Sequence, residues 1–358
     1  MDRADSRPTL PIRSQISFPR MDDIDALFAA FSRLRLVVIG DVMLDRFIWG
    51  SVSRISPEAP VPVVEVQRES FFPGGAANVA RNLTPFGASV ELIGLIGPDD
   101  NGQLLRQTLG ENGIGVDHLL EVPGFPTITK TRVVARQQQV VRIDHERKTK
   151  PDANRIARIL DELRTLAPSL DGIIIEDYGK GLVTQELVDA VCALASEAGV
   201  IVTVDPNPKN PIAWAGVATV KPNRLEAFQE AGLDDPHDGT APLQDATLLE
   251  VGRRLLAKWK SRHVLITLGE QGMLLVTEGS EEPYHIPTMA KEVFDVSGAG
   301  DTAIAVFTLA LCAGADARVA AQLSNQASGI VVGKLGTAPV EREELRKAVA
   351  TAGQAPLC

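Results

Sequence analysis

Apolar positions along the chain recur at two different periods, and each period predicts a different kind of element. Residues 21–34 carry apolar side chains at helical spacing behind two acidic residues, which predicts an amphipathic helix. Its apolar positions are Ile24, Leu27, Phe28, Phe31 and Leu34. The next run, residues 34–41, is largely apolar and ends in Gly-Asp. We interpret it as a buried strand whose carboxyl end delivers polar groups to a site.

From about residue 152 onward, apolar runs alternate with helical patterns. The runs end in Gly, Asp, Asn or Pro and read DGIIIEDYGKG, VIVTVDPNP, VATVKPN and HVLITLGEQG. The helical patterns cover residues 152–167, 184–198, 224–232 and 246–260. This alternation predicts an α/β fold with a mostly parallel central sheet flanked by helices. Ligands of such sheets bind at the carboxyl ends of the strands.

Residues 46–72 and 127–145 have a different pattern, made of short β-rich pieces. Pro60 and Pro62 cannot donate ladder hydrogen bonds, so we expect that piece at a sheet edge or an interface. These segments predict a small second sheet that projects from the main domain as a lid. We expect residues 1–20 to be a flexible tail, residues 21–345 to form one domain that includes the lid, and residues 346–358 to be a C-terminal tail.

The composition narrows the possible partners and the compartment. Hydrophobic residues make up 44% of the 358 residues, enough for a substantial core. The formal charge of −10 argues against non-specific binding to nucleic acid or to membrane surfaces. No stretch approaches the ~18 apolar residues of a membrane span. The cysteines have no disulfide-like or metal-binding spacing, so we expect a cytoplasmic protein.

The segment around residue 300 carries the clearest chemistry. Gly298, Ala299 and Gly300 precede an apolar helical run that begins near Asp301. A small-residue turn that opens a helix directs free backbone N–H groups at one point, where phosphoryl charge is stabilised. Asp301 lies where a carboxylate would accept the proton of an attacking hydroxyl, but it would serve equally well as a helix cap. The spacing alone leaves both interpretations open.

A resemblance to a known family decides between them. DVSGAGDTAIA, residues 295–305, resembles the C-terminal signature of the ribokinase-like, or phosphofructokinase-B, sugar kinases. Their N-terminal signature is similar to PGGAANVARNLTPFGASVELIGLIGPD at residues 73–99. The resemblance covers residues 35–339 and implies a ribokinase-like fold, with ATP and Mg²⁺ as cofactors. It implies that Asp301 is the catalytic base, with its anion hole formed by Gly298, Ala299 and Gly300.

The resemblance also implies roles in binding. Asp45 matches the aspartate that holds sugar hydroxyls, and Asp41 is a nearby second candidate. The sugar-facing turn matches Gly74, Gly75 and Asn78. Asn223 and Glu226 match the Asn-x-x-Glu element that organises Mg²⁺, water and phosphates, and Asn325 lies where the family contacts or flanks adenine. The strand-end turn that receives the nucleotide matches Thr267, Gly269 and Gly272. Asp295 and Ser297 match positions that bind a monovalent cation, K⁺, in some members.

A narrower resemblance concerns the sugar. SRISPEAPVPVVEV, residues 53–66, is similar to a segment of the bacterial heptose 7-phosphate kinases. It implies transfer of the ATP γ-phosphoryl group to the anomeric hydroxyl of D-glycero-D-manno-heptose 7-phosphate, for ADP-heptose and lipopolysaccharide core synthesis. Such a substrate needs a cationic anchor, for which Lys180 and Arg142 are candidates, each of which would otherwise be a surface charge. Among the strand-end acids, Glu176, Asp177 and Asp205 are candidates to accept hydrogen bonds from the sugar, and one or two of the three are expected to do so.

Three further expectations follow from the resemblance. The proline-containing edge of the lid is expected to pair with a second copy and form a homodimer. Many relatives carry a following nucleotidyltransferase domain with an HxGH-type element, but the five histidines here are scattered, so we expect a separate enzyme to complete the pathway. The alternatives are another sugar kinase of this fold, for fructose, ribose or phosphofructose, and a regulator that binds sugar or nucleotide without catalysis.

Overall fold

The computed structural model describes residues 21–136, 138–236, 239–289, 294–334 and 338–352. The predicted tail at residues 1–20 lies outside these ranges. The helices are α1 Met21–Phe31, α2 Ala76–Leu83, α3 Asp100–Glu111, α4 Ala153–Leu166, α5 Gln185–Ala198, α6 Arg224–Ala231, α7 Ala246–Trp259, α8 Ala299–Cys312, α9 Ala317–Val331 and α10 Arg342–Ala352. The strands are β1 Arg35–Gly40, β2 Val42–Ile55, β3 Pro62–Gly75, β4 Ser89–Ile96, β5 Ile114–Gly115, β6 Leu119–Glu121, β7 Thr129–Ala135, β8 Gln138–His145, β9 Gly172–Glu176, β10 Ile201–Asp205, β11 Thr219–Val220, β12 His263–Thr267, β13 Met273–Thr277 and β14 Tyr284–Ile286.

The central sheet has the order β14-β13-β12-β11-β10-β9-β1-β4-β5, with β6 paired to β4. Pairing is parallel from β12 to β5, and only β13 and β14 among the described strands of this sheet pair antiparallel. The predicted mostly parallel sheet is therefore confirmed. Its strands are apolar along their whole length because helices cover both faces.

The two faces of the sheet bury two hydrophobic clusters. Leu36 and Val38 of β1 pack with residues of α1, α2, α3, α8, α9 and α10. Val37 and Ile39, which alternate with them, pack with residues of α4 to α7. This arrangement leaves the carboxyl ends of β1, β9 and β10 open between the helix layers, as expected for a parallel sheet.

The predicted lid is a four-stranded sheet with the order β3-β2-β7-β8, in which β3 contains Pro62 and lies at the edge. Its long strands extend beyond the predicted range of residues 46–72, because β2 begins at Val42 and β3 continues to Gly75. β2 follows β1 after the single residue Asp41. The inner ends of the lid strands therefore reach the carboxyl edge of the central sheet.

The C-terminal domain boundary predicted at residue 345 falls inside α10. Leu345 and Val349 of this helix are buried, and Arg346 forms an ion pair with Asp25 of α1 at 2.7 Å. The apolar face of α10 thus belongs to the domain as far as Ala352. None of the helices in the described ranges has the length and apolar character that crossing a bilayer requires.

Candidate active site

The start of α8 presents a small-residue turn to the carboxyl edge of the sheet. Gly298 is the residue that precedes the helix and has φ of 79°, a left-handed conformation that favours glycine. Ala299, Gly300 and Asp301 form the first turn, where the backbone N–H groups precede the regular helical hydrogen bonds. The Ala299 N–H is bonded to the carbonyl of Val296 at 3.3 Å. These N–H groups and the helix dipole favour an anion at this point.

Asp301 is buried at this turn, and both of its carboxylate oxygens are held by other elements. Asn78 Nδ2 of α2 donates to Oδ2 at 2.6 Å, and Tyr178 Oη donates to Oδ1 at 3.0 Å. Burial raises the pKa of Asp301 to about 6, because desolvation and the charge of Asp205 outweigh the two hydrogen bonds, which lower it. A carboxylate with this pKa is ionised at neutral pH and matched to accept a proton there.

The loop that carries Tyr178 is organised by Asp41. The Asp41 carboxylate accepts the backbone N–H groups of Tyr178 and Lys180 at 3.1 and 2.8 Å, and that of Leu182 at 3.3 Å. It is not among the residues that line the cavity described below. In this structure the oxygens of Asp41 accept backbone N–H groups and hold the loop in place, and a contact of Asp41 with the sugar stays a prediction.

Asp177 also forms hydrogen bonds that hold this loop in place. Its carboxylate accepts the N–H of Gly179 at 2.7 Å and the side-chain amide of Asn210 at 2.8 Å. Burial raises the pKa of Asp177 to about 7. Asp177 does not line the cavity either, and its predicted contact with the sugar stays a prediction.

A buried acidic cluster lies beneath the turn of α8. Carboxylate oxygens of Glu176, Asp205 and Asp301 come within 4.8 Å of one another. Burial raises the pKa of Glu176 well above its ordinary range, assisted by the charges of Asp205 and Asp301, and Glu176 Oε2 has no hydrogen-bond partner. Asp205, predicted to contact the sugar, instead forms an ion pair with Lys221.

Lys221 is the cation of this cluster. Its Nζ lies 2.8 Å from Asp205 Oδ2, and its side chain is only 3% exposed. Burial works to lower the pKa of Lys221, but the Asp205 carboxylate outweighs burial, so the pKa is raised and the ammonium stays charged. A Cβ placed on Gly300 would lie 3.4 Å from this Nζ, so the cation is directly below the turn.

The predicted Asn-x-x-Glu element begins α6. The Asn223 side-chain oxygen caps the helix by accepting the N–H of Glu226 at 2.9 Å. In return, the Glu226 carboxylate accepts the N–H of Asn223 at 2.8 Å. Burial raises the pKa of Glu226, and the charge of Asp205 raises it further, which places the two carboxyl groups in the same electrostatic environment. Thr267, at the end of β12, pairs with Asn223 through a parallel bridge.

The remaining predicted nucleotide and cation positions lie around this edge. Gly269 and Gly272 flank a short 3₁₀ turn after β12, and a Cβ on Gly272 would lie 2.0 Å from the carbonyl oxygen of Ile286. Asn325 of α9 donates its side-chain amide to the carbonyl of Pro287 at 2.8 Å. Ser297 donates its N–H to Asp295 at 2.9 Å, just before the turn of α8.

A cavity of about 300 Å³ separates the lid from the turn of α8. Asp45, Gly74, Gly75, Asn78 and Asp301 line it, as predicted for a sugar site. Gly74 makes room for the aspartate, because a Cβ there would lie 2.4 Å from Asp45 Oδ2. The cations that line the cavity are Lys130, Arg132, Arg142 and Lys180.

Two of these cations were predicted and two were not. Lys180 pairs with Glu146 at 2.7 Å, and Arg142 pairs with Asp144 at 2.8 Å. Lys130 and Arg132 occupy alternate positions of β7 and so share one face of the lid. The alternation of Lys130 and Arg132 in TKTRV is the sequence pattern from which these two cations could have been predicted. Tyr178 and Lys221 had weaker signals, being single polar residues at the ends of apolar strands.

Comparison with known proteins agrees with this geometry. The model of the pfkB family carbohydrate kinases matches residues 33–343. Bifunctional protein HldE of Magnetococcus marinus is 42% identical over 334 residues, which cover 92% of this chain and 66% of the relative. Bifunctional protein HldE of Shewanella sp. strain MR-4 is 43% identical over 322 residues, which cover 90% of this chain and 64% of the relative. The chain thus spans just under two thirds of the length of these relatives.

Solved structures share the fold. The ribokinase of Arabidopsis thaliana, complexed with ribose and ATP, matches with a TM-score of 0.69 and 20% identity over 90% of this chain and 99% of that one. Phosphofructokinase-2 of Escherichia coli, in complex with potassium, matches with a TM-score of 0.71 and 18% identity over 90% of this chain and 100% of that one. These likenesses confirm the predicted ribokinase-like fold. Because the family model spans most of the chain, the chain belongs to the pfkB family of carbohydrate kinases.

Proposed function

We propose that this chain transfers the γ-phosphoryl group of ATP to the anomeric hydroxyl of D-glycero-D-manno-heptose 7-phosphate, giving the 1,7-bisphosphate. Membership of the pfkB family supports a carbohydrate kinase, and the segment at residues 53–66 and the HldE relatives support this substrate. The product would enter ADP-heptose synthesis for lipopolysaccharide core in the cytoplasm. The observation that carries the proposal is the buried carboxylate of Asp301, which faces a cavity at the start of a helix.

Asp301 is the proposed general base. Asn78 and Tyr178 each donate to one oxygen, so the carboxylate is oriented while a lone pair on each oxygen stays available. The sugar hydroxyl transfers its proton to Asp301 as its oxygen forms a bond to the γ-phosphorus. The bond from that phosphorus to the bridging oxygen of ADP breaks, and ADP leaves with the bonding electrons. The amides of residues 298–300 stabilise the transferred group.

The acidic cluster fits a magnesium ion that accompanies ATP. Asp205 offers a hard carboxylate ligand, Glu226 one through water, and Glu176 Oε2 is a buried acceptor without a partner. When bound there, Mg²⁺ would neutralise charge on the phosphates. Lys221 contributes a fixed positive charge beside the same point. Asp295 and Ser297 remain our proposal for a K⁺ site.

The distal phosphate of the sugar would bind on the lid side of the cavity. Lys180 and Arg142 line the cavity there, and each is paired with an acidic side chain of residues 144–146. A dianionic phosphate is a stronger partner than a single carboxylate for such cations. This arrangement supports a phosphorylated sugar over ribose or fructose.

An ATP-consumption assay with Mg²⁺ tests the proposal by comparing heptose 7-phosphate with fructose 6-phosphate, ribose and fructose. We expect strong preference for the heptose phosphate, and loss of most turnover in Asp301→Asn with sugar and ATP binding largely kept. Activity only on another sugar would support the proposed kinase activity and exclude heptose 7-phosphate as the substrate. Absence of turnover with every sugar would favour a regulator that binds without catalysis.

We further propose that the chain forms a homodimer through the lid. The lid exposes large apolar side chains to solvent, at Ile55, Val61, Val66, Val141 and Ile143. Exposed apolar residues on a sheet with a free edge favour pairing with another copy. Sedimentation velocity at micromolar concentration should give a dimer, and a monomer there would exclude this proposal.

A further inference from the structure

Asp45, the proposed sugar-binding aspartate, is paired with a lid arginine. Arg132 of β7 forms an ion pair with Asp45 Oδ1, and the two side chains are 18% and 8% exposed. The Arg132 guanidinium also lies over the ring of Phe47, 5.2 Å from its centroid. While this pair persists, Asp45 Oδ1 is engaged by the guanidinium, and a sugar hydroxyl must compete with Arg132 for that oxygen.

The register of the lid places a second arginine against the first. Arg132 of β7 lies directly opposite Arg142 of β8, and both line the cavity. Like charges directly opposite each other on one face of an antiparallel pair are destabilising. Here Asp45 offsets the charge of Arg132, and Asp144 offsets that of Arg142. An anion placed between the two guanidinium groups would offset both.

We propose that the Asp45–Arg132 ion pair is a specificity switch that is released by the substrate's own phosphate. The phosphate draws Arg132 away from Asp45 and binds between Arg132 and Arg142. Asp45 is then free to accept hydrogen bonds from the sugar. Arg132 thereby becomes a specificity-determining residue, and this inference rests on the proposed phosphorylated substrate.

The proposal explains rejection of free sugars by competition within the cavity. A sugar without phosphate must displace Arg132 from Asp45 and leaves the guanidinium without a partner, next to Arg142. Leaving a desolvated charge unpaired is strongly unfavourable. A sugar phosphate replaces one charge-assisted contact with another and adds its hydroxyl contacts to Asp45.

The experiment measures kcat/KM for a sugar phosphate and for the same sugar without phosphate, in the wild type and Arg132→Gln. We expect the variant to lose at least about 100-fold on the sugar phosphate, the order of one charge-assisted contact. We expect it to gain on the free sugar, because Asp45 is no longer occupied. Arg142→Gln should lose on the sugar phosphate without that gain, since Arg142 pairs with Asp144. Arg155→Gln, on the surface of α4, is the control for loss of a cation.

Calorimetric titration of inorganic phosphate into Asp45→Asn provides a readout that needs no turnover. Removing the competing carboxylate should raise the affinity for phosphate relative to wild type. Unchanged phosphate affinity, or an Arg132→Gln variant that keeps the wild-type preference, would overturn the switch and leave the proposed function standing. If the wild type prefers a different sugar phosphate and Arg132→Gln reduces that preference, heptose 7-phosphate is excluded as the substrate and the switch is supported.

Discussion

Replacing the proposed catalytic base, Asp301, should make the protein more stable. Asp301 is buried, and its pKa is raised from 3.8 to about 6. Its charged form is therefore less favourable in the folded protein than in the unfolded chain. Below pH 3.8 Asp301 is protonated in both the folded and the unfolded protein, so it does not lower the free energy of unfolding. As the pH rises through about 6, the unfavourable charge in the folded protein lowers the free energy of unfolding. At pH 8 the shift of 2.2 units (6 minus 3.8) destabilises the wild type by about 3 kcal/mol.

Asp301→Asn removes the charge and can keep the hydrogen bonds. Asn78 Oδ1 is buried without a partner, so rotation of the Asn78 amide presents this oxygen to the new side-chain NH₂. Tyr178 continues to donate to the oxygen of residue 301, as it does now. We therefore expect a gain in the free energy of unfolding that approaches about 3 kcal/mol at pH 8. At pH 5, where most of the folded wild type is already protonated at Asp301, we expect roughly half of that gain.

Urea unfolding of the wild type and Asp301→Asn at pH 8 and pH 5 measures both differences. Asp161→Asn is a matched control, because the Asp161 side chain is 72% exposed on α4 and its loss should change stability by less than about 0.5 kcal/mol. A variant no more stable than the wild type at pH 8 would refute the argument. A gain of equal size at both pH values would also refute it, since it would then come from something other than the charge.

Two further predictions concern the same cavity. The plot of kcat/KM against pH should fall below about pH 6, where Asp301 takes up a proton. Tyr178→Phe should move this fall to higher pH, because the Tyr178 hydrogen bond lowers the pKa of Asp301. A fall at the same pH as in the wild type would contradict the contact between Tyr178 and Asp301. Gly74→Ala should raise the KM for the sugar about tenfold, equivalent to about 1.4 kcal/mol, by pushing the Asp45 carboxylate out of position. The matched control is Gly110→Ala, where an added Cβ meets nothing within 4 Å, and equal effects of the two substitutions would contradict the steric explanation.

Much of the architecture could be predicted from periodicity. The alternation of apolar runs and helical patterns predicted the parallel sheet because strands buried on both faces must be apolar throughout. The predicted C-terminal boundary falls inside α10 because this helix is short and its attachment through Leu345 and Val349 depends on the core that it covers. The lid strands begin earlier than predicted because β2 follows β1 after Asp41 alone, which no local pattern marked.

The roles of the acidic residues likewise depend on contacts that the sequence pattern does not show. Asp41, Asp45, Asp177 and Asp205 all follow apolar runs, so the apolar pattern alone could not distinguish the one that lines the cavity, and only the family resemblance favoured Asp45. In the structure Asp41 and Asp177 bind the loop after β9, and Asp205 pairs with Lys221, whereas Asp45 stays at the cavity. Which of them contacts the sugar in solution remains a prediction.

The sequence by itself determined the family, the α/β class and the position of the candidate base, because a turn of small residues, a carboxylate and a helix start are neighbours along the chain. The tertiary structure alone decided which distant groups meet in the site. Tyr178 and Asp301 are 123 residues apart, and Arg132 and Asp45 are 87 apart. Their contacts depend on the register of β7 against β2 and on how the β9 loop packs against α8, and both are set by the packing of the whole core.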